Sequence, residues 1–208
     1  MRYDFVGGSL ALDFTNTVHS HGTADPEDDL KSVTNLVEWA VQARVLQDRD
    51  ARHARRVREN KVWFRRALTL RELLYDIFSC AAQRKRPNRE ALKEFEGLYR
   101  NAARDAEFQL GADHYRLTWP ATDPLQCVVQ EIIRSAAELL TSNALSRVRQ
   151  CSGEACSWLF VDNSRNGMRR WCEMRACGNR AKVRRFRALR QTGRSGRRRV
   201  SGNRRGRG

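Results

Sequence analysis

The 208-residue sequence predicts a mainly α-helical N-terminal domain with a minor β-hairpin, followed by a small module organised by cysteines. Two observations lead to this prediction. In residues 1–146, apolar side chains recur at the three- and four-residue spacing of amphipathic helices. Beyond residue 146, four cysteines lie within one short and strongly basic segment. The length of the chain is enough for one ordinary domain and a small appendage.

Four helices are expected in the N-terminal part. Two of them have clear start signals, Asp25-Pro26 and Asp123-Pro124. Asp accepts hydrogen bonds from the free backbone N–H groups of a helix start, and Pro fits the first helical turn. The expected helices cover residues 26–47, 62–81, 92–102 and 125–139.

A minor β element is expected between the last two helices. Residues 107–110 and 114–119 flank a Gly-Ala-Asp turn, a pattern that predicts a short hairpin. Residues 1–146 therefore form a domain that is large enough for a hydrophobic core of its own. Residues 147–192 are expected to form the cysteine module, and residues 193–208 a disordered tail rich in arginine and glycine.

The four cysteines form two C-x4-C pairs separated by 15 residues. This spacing can bring four thiolates to the corners of a tetrahedron around Zn²⁺. The residues are Cys151, Cys156, Cys172 and Cys177. Because four sulfur ligands fill the coordination shell, the predicted zinc is structural and not catalytic. Its binding supplies folding free energy, on the order of 10 kcal/mol, that a module of this size lacks.

The N-terminus and the hydropathy of the chain indicate a cytoplasmic protein. No run of 18 apolar residues is present, so we expect no membrane contact. The apolar stretch near the N-terminus is interrupted by Asp4 and Asp13, unlike a secretory signal. In a reducing compartment, paired cysteines bind metal more often than they form disulfides.

Positive charge is concentrated at the C-terminal end of the chain. The net charge is +16, with 17 basic and 3 acidic residues from Cys151 onward, against 23 basic and 21 acidic residues in residues 1–150. A nearly neutral body with a strongly cationic end is typical of proteins that bind a polyanion. A basic tail that only aids solubility is the alternative.

Two motifs resemble known families. The string CGNR at residues 177–180, with Trp171-Cys172 before it and F-x-D-x-S at residues 160–164, resembles the CGNR zinc-finger family. The segment GGSLALDFTNT at residues 7–17 is similar to the ABATE domain that accompanies this finger. The resemblances cover all but the arginine-glycine tail and imply a treble-clef or ribbon-like finger. They also imply a bacterial, zinc-containing transcription regulator, or alternatively an RNA-binding protein. The implied zinc ligands are the same four cysteines.

Basic side chains between and beside the cysteine pairs are candidate nucleic-acid contacts. The planar fork of arginine suits bidentate contacts to phosphate and guanine. The candidates are Arg165, Arg169, Arg170, Arg175, Lys182, Arg184, Arg185 and Arg187. Arg180 is expected either to join them or to make an internal hydrogen bond, for example to Asp162. Four aromatic residues are expected to pack around the metal: Trp158, Phe160, Trp171 and Phe186.

A polar group follows the apolar run at the N-terminus. Asp13, Asn16 and Thr17 lie where the chain should be buried, and buried polar groups need hydrogen-bond partners. One interpretation is that they pin the N-terminal segment onto the helical body. The other is a pocket for a small-molecule effector.

These observations favour a DNA-binding transcription regulator whose helical domain senses an effector or forms a homodimer, located at the nucleoid. RNA binding is the alternative, since zinc modules and arginine-glycine tails suit it equally. We expect no enzymatic activity. The chain has no phosphate loop, nucleophile elbow, histidine-glutamate metal motif or dinucleotide fingerprint.

Overall fold

The computed structural model describes residues 2–54 and 60–200. Its helices are α1 (Leu10–Thr15), α2 (Val33–Gln42), α3 (Asp48–Ala54), α4 (Asn60–Ala82), α5 (Arg89–Ala102), α6 (Pro124–Thr141) and α7 (Asn179–Val200). The strands form three antiparallel pairs: β1 (Val18–His19) with β2 (Glu27–Asp28), β3 (Glu107–Leu110) with β4 (Tyr115–Thr118), and β5 (Val148–Gln150) with β6 (Leu159–Val161). A 3₁₀ helix at Asn143–Arg147 and a π-helical turn at Met174–Gly178 complete the described elements. The mainly α fold class with small hairpins is confirmed.

Helix α1 lies in the core and contacts both α4 and α6. Its Leu12 and Phe14 are fully buried, and the Phe14 ring lies 5.0 Å from that of Trp39 in α2. Helix α6 packs an apolar stripe into the same core, as the sequence predicts. The sequence predicted burial of the N-terminal run but not its helical conformation. Six residues are too few for helical periodicity to be recognised.

The helix start predicted at Asp25-Pro26 is wrong. Helix α2 begins at Val33, where the Ser32 hydroxyl accepts the backbone N–H of Asn35 at 3.2 Å. Residues 27–28 instead form β2. The physical reason lies in Arg71, which is only 3% exposed and needs a carboxylate partner. Asp28 supplies it in a bidentate pair with nitrogen–oxygen distances of 2.8 and 2.7 Å.

The later elements agree with the sequence predictions. Helices α4, α5 and α6 and the β3–β4 hairpin lie at the expected positions. The Asp123 carboxylate caps α6 by accepting the backbone N–H groups of Leu125 at 2.7 Å and Gln126 at 3.3 Å. The helix expected over residues 26–47 is shorter, because α2 ends at Gln42 and Arg44 adopts a left-handed backbone with φ of 61°.

The cysteine module is joined to the helical body by the β5–β6 pair. Val148, Leu159 and Val161 belong to the main core. The Asn16 side chain donates to the Leu159 carbonyl at 2.9 Å and accepts the Leu159 N–H at 2.8 Å. Apolar packing therefore continues across the boundary predicted at residue 146.

Helix α7 extends to Val200. It includes residues 193–200, the first part of the segment that the sequence predicts to be disordered, and residues 201–208 lie outside the described part of the chain. Among the described residues, no helix combines the length and apolar character needed to cross a membrane.

Candidate metal centre

The structure brings the four predicted ligands together. The sulfur atoms of Cys151, Cys156, Cys172 and Cys177 all lie within 4.8 Å of one another. The Cys156–Cys172 and Cys172–Cys177 sulfur distances are 3.7 and 3.6 Å. Zn–S bonds of about 2.3 Å in a tetrahedron place sulfurs about 3.8 Å apart. All four cysteines are free of disulfides, so the cluster has the spacing of a four-thiolate zinc site.

The first cysteine pair is positioned by a tight turn between β5 and β6. The Cys151 N–H donates to the Trp158 carbonyl at 2.8 Å, and the Cys156 N–H to the Gly153 carbonyl at 3.1 Å. A Cβ on Gly153 would lie 2.9 Å from the Cys156 Cβ and 3.3 Å from the Cys177 sulfur. Only glycine fits this turn without displacing a ligand. Sequence reasoning missed Gly153, although its place inside the first C-x4-C pair was visible.

Three of the four thiols of the cluster perturb one another's pKa through hydrogen bonds. Hydrogen bonds from the thiols of Cys156 and Cys172 lower the pKa of Cys151 to about 2. The same bond to Cys151 raises the pKa of Cys156 to about 12, and a corresponding bond raises the pKa of Cys172. Adjacent thiolates ionise together only when a cation compensates their charge. The donor set therefore fits one structural Zn²⁺.

The second cysteine pair leads directly into α7. Gly178 is buried, and a Cβ there would overlap the Met174 sulfur. The Asn179 side-chain amide donates to the Arg175 carbonyl at 3.0 Å, as expected of a structural cap. Arg180 donates to the Cys177 sulfur at 3.1 Å, and this bond raises the pKa of Arg180. Arg180 thus makes an internal contact, but its partner is a cysteine and not Asp162.

Asp162 organises the loop between the cysteine pairs. Its side chain is fully buried and accepts three hydrogen bonds, from the N–H of Ser164 at 2.9 Å, the hydroxyl of Ser164 at 2.5 Å and the N–H of Arg169 at 3.0 Å. Burial acts to raise the pKa of Asp162, but these bonds outweigh it and hold the pKa below its ordinary value. The Asp and Ser of the F-x-D-x-S pattern therefore stabilise the conformation of this loop.

Comparison with known families agrees with this arrangement. A family model for ABATE, described as "Putative stress-induced transcription regulator", matches residues 8–143. The chain belongs to the ABATE family. A model for the CGNR zinc finger matches residues 147–190, which contain the whole four-cysteine cluster. No curated protein matches the chain.

Within the CGNR finger, Arg169 has a structural role. Its guanidinium lies 4.2 Å from the centre of the Phe160 ring and donates to the carbonyls of Trp171 at 3.0 Å and Val6 at 3.2 Å. It also makes a short contact with the Cys172 carbonyl. The assignment of Arg169 as a nucleic-acid contact is corrected: the side chain is occupied in holding the N-terminal segment against the finger.

The aromatic residues behave differently from one another. Phe160 is buried beside the ligands, and Trp158 and Trp171 are partly buried against them, as expected. Phe186, however, is 58% exposed. The prediction that it packs around the metal is wrong, because α7 leads away from the cluster after its first turn and, among the described residues, packs closely only against the preceding π-helical turn.

The remaining basic candidates lie on the surface of the finger and α7. Arg184 contacts Glu154, and the guanidinium of Arg170 lies 5.3 Å from the Trp171 ring centre. We use the term basic surface for the exposed residues Arg165, Arg170, Arg175, Lys182, Arg185 and Arg187. In the described part of the chain, no carboxylate forms an ion pair with these six side chains.

The N-terminal polar residues bind the chain itself. The Asp13 carboxylate accepts the Gly7 N–H at 2.7 Å, and the Thr17 hydroxyl donates to the Phe14 carbonyl at 2.7 Å. Asn16 holds β6, as described above. These contacts favour the interpretation that the three residues hold the N-terminal segment on the helical body. A pocket for an effector at this position stays a prediction.

Proposed function

We propose that this ABATE–CGNR protein is a DNA-binding transcription regulator whose finger and α7 contact the duplex at the nucleoid. The observation that carries the proposal is the exposed position of α7 directly after the last zinc ligand. Residues 179–190 contain six basic and no acidic residues. Because α7 begins two residues after Cys177, the metal cluster fixes where this cationic helix starts.

The shape of the basic element favours duplex DNA. The major groove of B-DNA is about 12 Å wide and admits an α-helix, whereas the major groove of A-form RNA is too narrow for side chains to read. An exposed basic helix anchored at one end by a rigid finger fits the wide major groove of B-DNA. Arg165, Arg170 and Arg175 on the finger add positions for phosphate contacts beside the helix.

The zinc has a structural role in this proposal. Cys151, Cys156, Cys172 and Cys177 fill a tetrahedral shell, so no open position remains for a substrate or an activated water. We therefore assign no catalytic step to the metal. The helical body provides the surface on which the finger is fixed, through Asn16 and the β5–β6 pair.

A matched pair of triple variants tests the proposal. Lys182, Arg185 and Arg187 are replaced by alanine in one variant, and Arg89, Lys93 and Arg100, exposed residues of α5, are replaced in the control. Both variants lose three positive charges. Affinity for a mixed-sequence DNA duplex is measured over a salt series by fluorescence anisotropy.

We expect the α7 variant to bind more weakly, with the slope of log affinity against log salt smaller by about 2–3, since each lost phosphate contact removes about 0.9. The α5 control should keep the slope of the unmodified chain. Equal slopes for both variants would overturn the role of α7. Preferential competition by structured or single-stranded RNA over duplex DNA at fixed salt would replace the proposal with the RNA-binding alternative.

A further inference from the structure

The β3–β4 hairpin carries an apolar face that no other described part of the chain covers. Phe108, Leu110, Tyr115 and Leu117 have exposed fractions of 74, 73, 65 and 50%. We call these four residues the hairpin face. In the antiparallel register, Phe108 pairs with Leu117 and Leu110 with Tyr115, so the four side chains project from the same side of the ribbon.

The opposite side of the hairpin is polar. It carries the alternate residues Glu107, Gln109, Arg116 and Thr118. This strict alternation is the pattern of a sheet with one buried side. A two-stranded hairpin is at best marginally stable alone in water, and a contiguous exposed apolar patch marks an interaction site. The hairpin face therefore requires a covering surface.

The chemistry of the face favours an apolar protein surface over nucleic acid as its cover. None of the four side chains is charged, whereas nucleic-acid binding depends on cations that neutralise phosphates. We propose that the hairpin face packs against the same face of a second copy of this chain. This inference is independent of which nucleic acid the finger binds.

The arrangement of the four side chains is self-complementary. The two aromatic residues, Phe108 and Tyr115, occupy one diagonal of a square, and the two leucines occupy the other. A two-fold axis lying in the interface parallel to the strands places each aromatic ring opposite a leucine of the second copy. Such isologous contacts are the usual basis of two-fold homodimers. Large side chains then meet smaller ones, as close packing requires.

The area is sufficient for a dimer. At the exposed fractions given above, each side chain offers roughly 100–150 Å², so two copies bury about 1,000 Å² in total. This value is at the lower bound for a specific interface, so we expect dimerisation to depend on protein concentration.

The test uses the full chain after nuclease treatment in high salt, with light scattering during size-exclusion chromatography over a dilution series. Phe108→Glu and Leu110→Glu each place a carboxylate on the hairpin face. Gln109→Glu is the matched control, since it adds the same charge to the same strand on the polar side. Circular dichroism confirms that each variant is folded.

We expect the unmodified chain and the Gln109→Glu control to have twice the mass of the 24.1 kDa chain at high concentration. Phe108→Glu and Leu110→Glu should remain at the monomer mass over the whole series. A monomeric unmodified chain, or a dimer that persists in both face variants, would overturn the proposal. Loss of dimerisation in Gln109→Glu as well would also overturn it, because the effect would not depend on the apolar side.

Discussion

The helical body and the zinc finger maintain their structures by different means. The body buries large side chains completely, among them Phe14, Trp39 and Phe78. The apolar cluster of the finger consists of Phe160 and three of the cysteines, with Trp158 and Trp171 only partly buried against it. A module with so little apolar surface depends on metal coordination for its fold, whereas the body does not.

The two regions nevertheless share a packed and hydrogen-bonded boundary. Strands β5 and β6 contribute to the main core, and Asn16 satisfies both backbone groups of Leu159. The difference in stabilisation therefore predicts an asymmetric response. Loss of zinc should unfold the finger and lower the stability of the body. Substitutions at the junction should lower the stability of the body and leave the zinc site intact.

The largest effect is expected for Cys172→Ser. Removal of one ligand from the buried cluster should release zinc and cost the finger most of its metal-derived stability, on the order of 10 kcal/mol. The body should stay folded and melt at a lower temperature. Zinc content and far-ultraviolet circular dichroism measure the two outcomes. Cys80→Ser, outside the finger, is the control and should retain zinc. A body that unfolds completely in Cys172→Ser would show that the two regions are a single unit.

A smaller but substantial effect is expected for Asn16→Ala. The change leaves the buried N–H and carbonyl of Leu159 without partners and should lower the free energy of unfolding by about 2–4 kcal/mol. Urea denaturation measures this loss. Zinc stoichiometry should remain that of the unmodified chain. Asn101→Ala, at an exposed position on α5, serves as control. Equal stability of the two variants would contradict the stabilising role of Asn16 at the junction.

Variants of Arg169 and Arg165 distinguish an arginine that stabilises the fold from one that lies on the surface. Arg169→Ala removes contacts with four backbone carbonyls, including that of Val161 at 3.5 Å, and with the Phe160 ring, and should destabilise the protein by about 2–3 kcal/mol. Arg165→Ala should leave stability within about 0.5 kcal/mol and weaken DNA binding only. Thermal unfolding and anisotropy distinguish the two. The distinction fails if Arg165→Ala destabilises the fold as strongly as Arg169→Ala.

The last predicted effect, which vanishes at low pH, is a dependence of stability on the ionisation of Asp13. Burial raises the pKa of Asp13 to about 6 from 3.8, with the Gly7 N–H opposing this. The folded state therefore binds the proton more tightly, and the associated stability is complete below pH 3.8 and is lost as the pH rises through about 6. The free energy of unfolding of Asp13→Asn should match that of the unmodified chain at low pH and exceed it by about 3 kcal/mol at pH 8.

Urea midpoints of the two chains at matched pH values measure this difference. We expect zinc release in acid to affect both chains alike, since their ligands are the same, so the comparison isolates the carboxyl group of Asp13. A constant difference between the two chains at all pH values would contradict the assignment.

The finger was more predictable from the sequence than its attachment to the body. Cysteine spacing identifies all four ligands, since metal geometry restricts which spacings are possible. The role of Arg169 depends on carbonyl groups from distant parts of the chain, including Val6, which local patterns do not encode. The pairing of Arg71 with Asp28 overrode a strong helix-start signal for the same reason. Phe186 satisfied helical periodicity but has no opposing surface in the described structure.

Zinc-edge X-ray absorption on freshly purified, reduced protein tests the central claim most directly, because it reports the amount of metal and the ligand atoms together. The account predicts one zinc per chain with four sulfur neighbours at about 2.3 Å. Absence of stoichiometric zinc, or a shell containing nitrogen or oxygen, would contradict it.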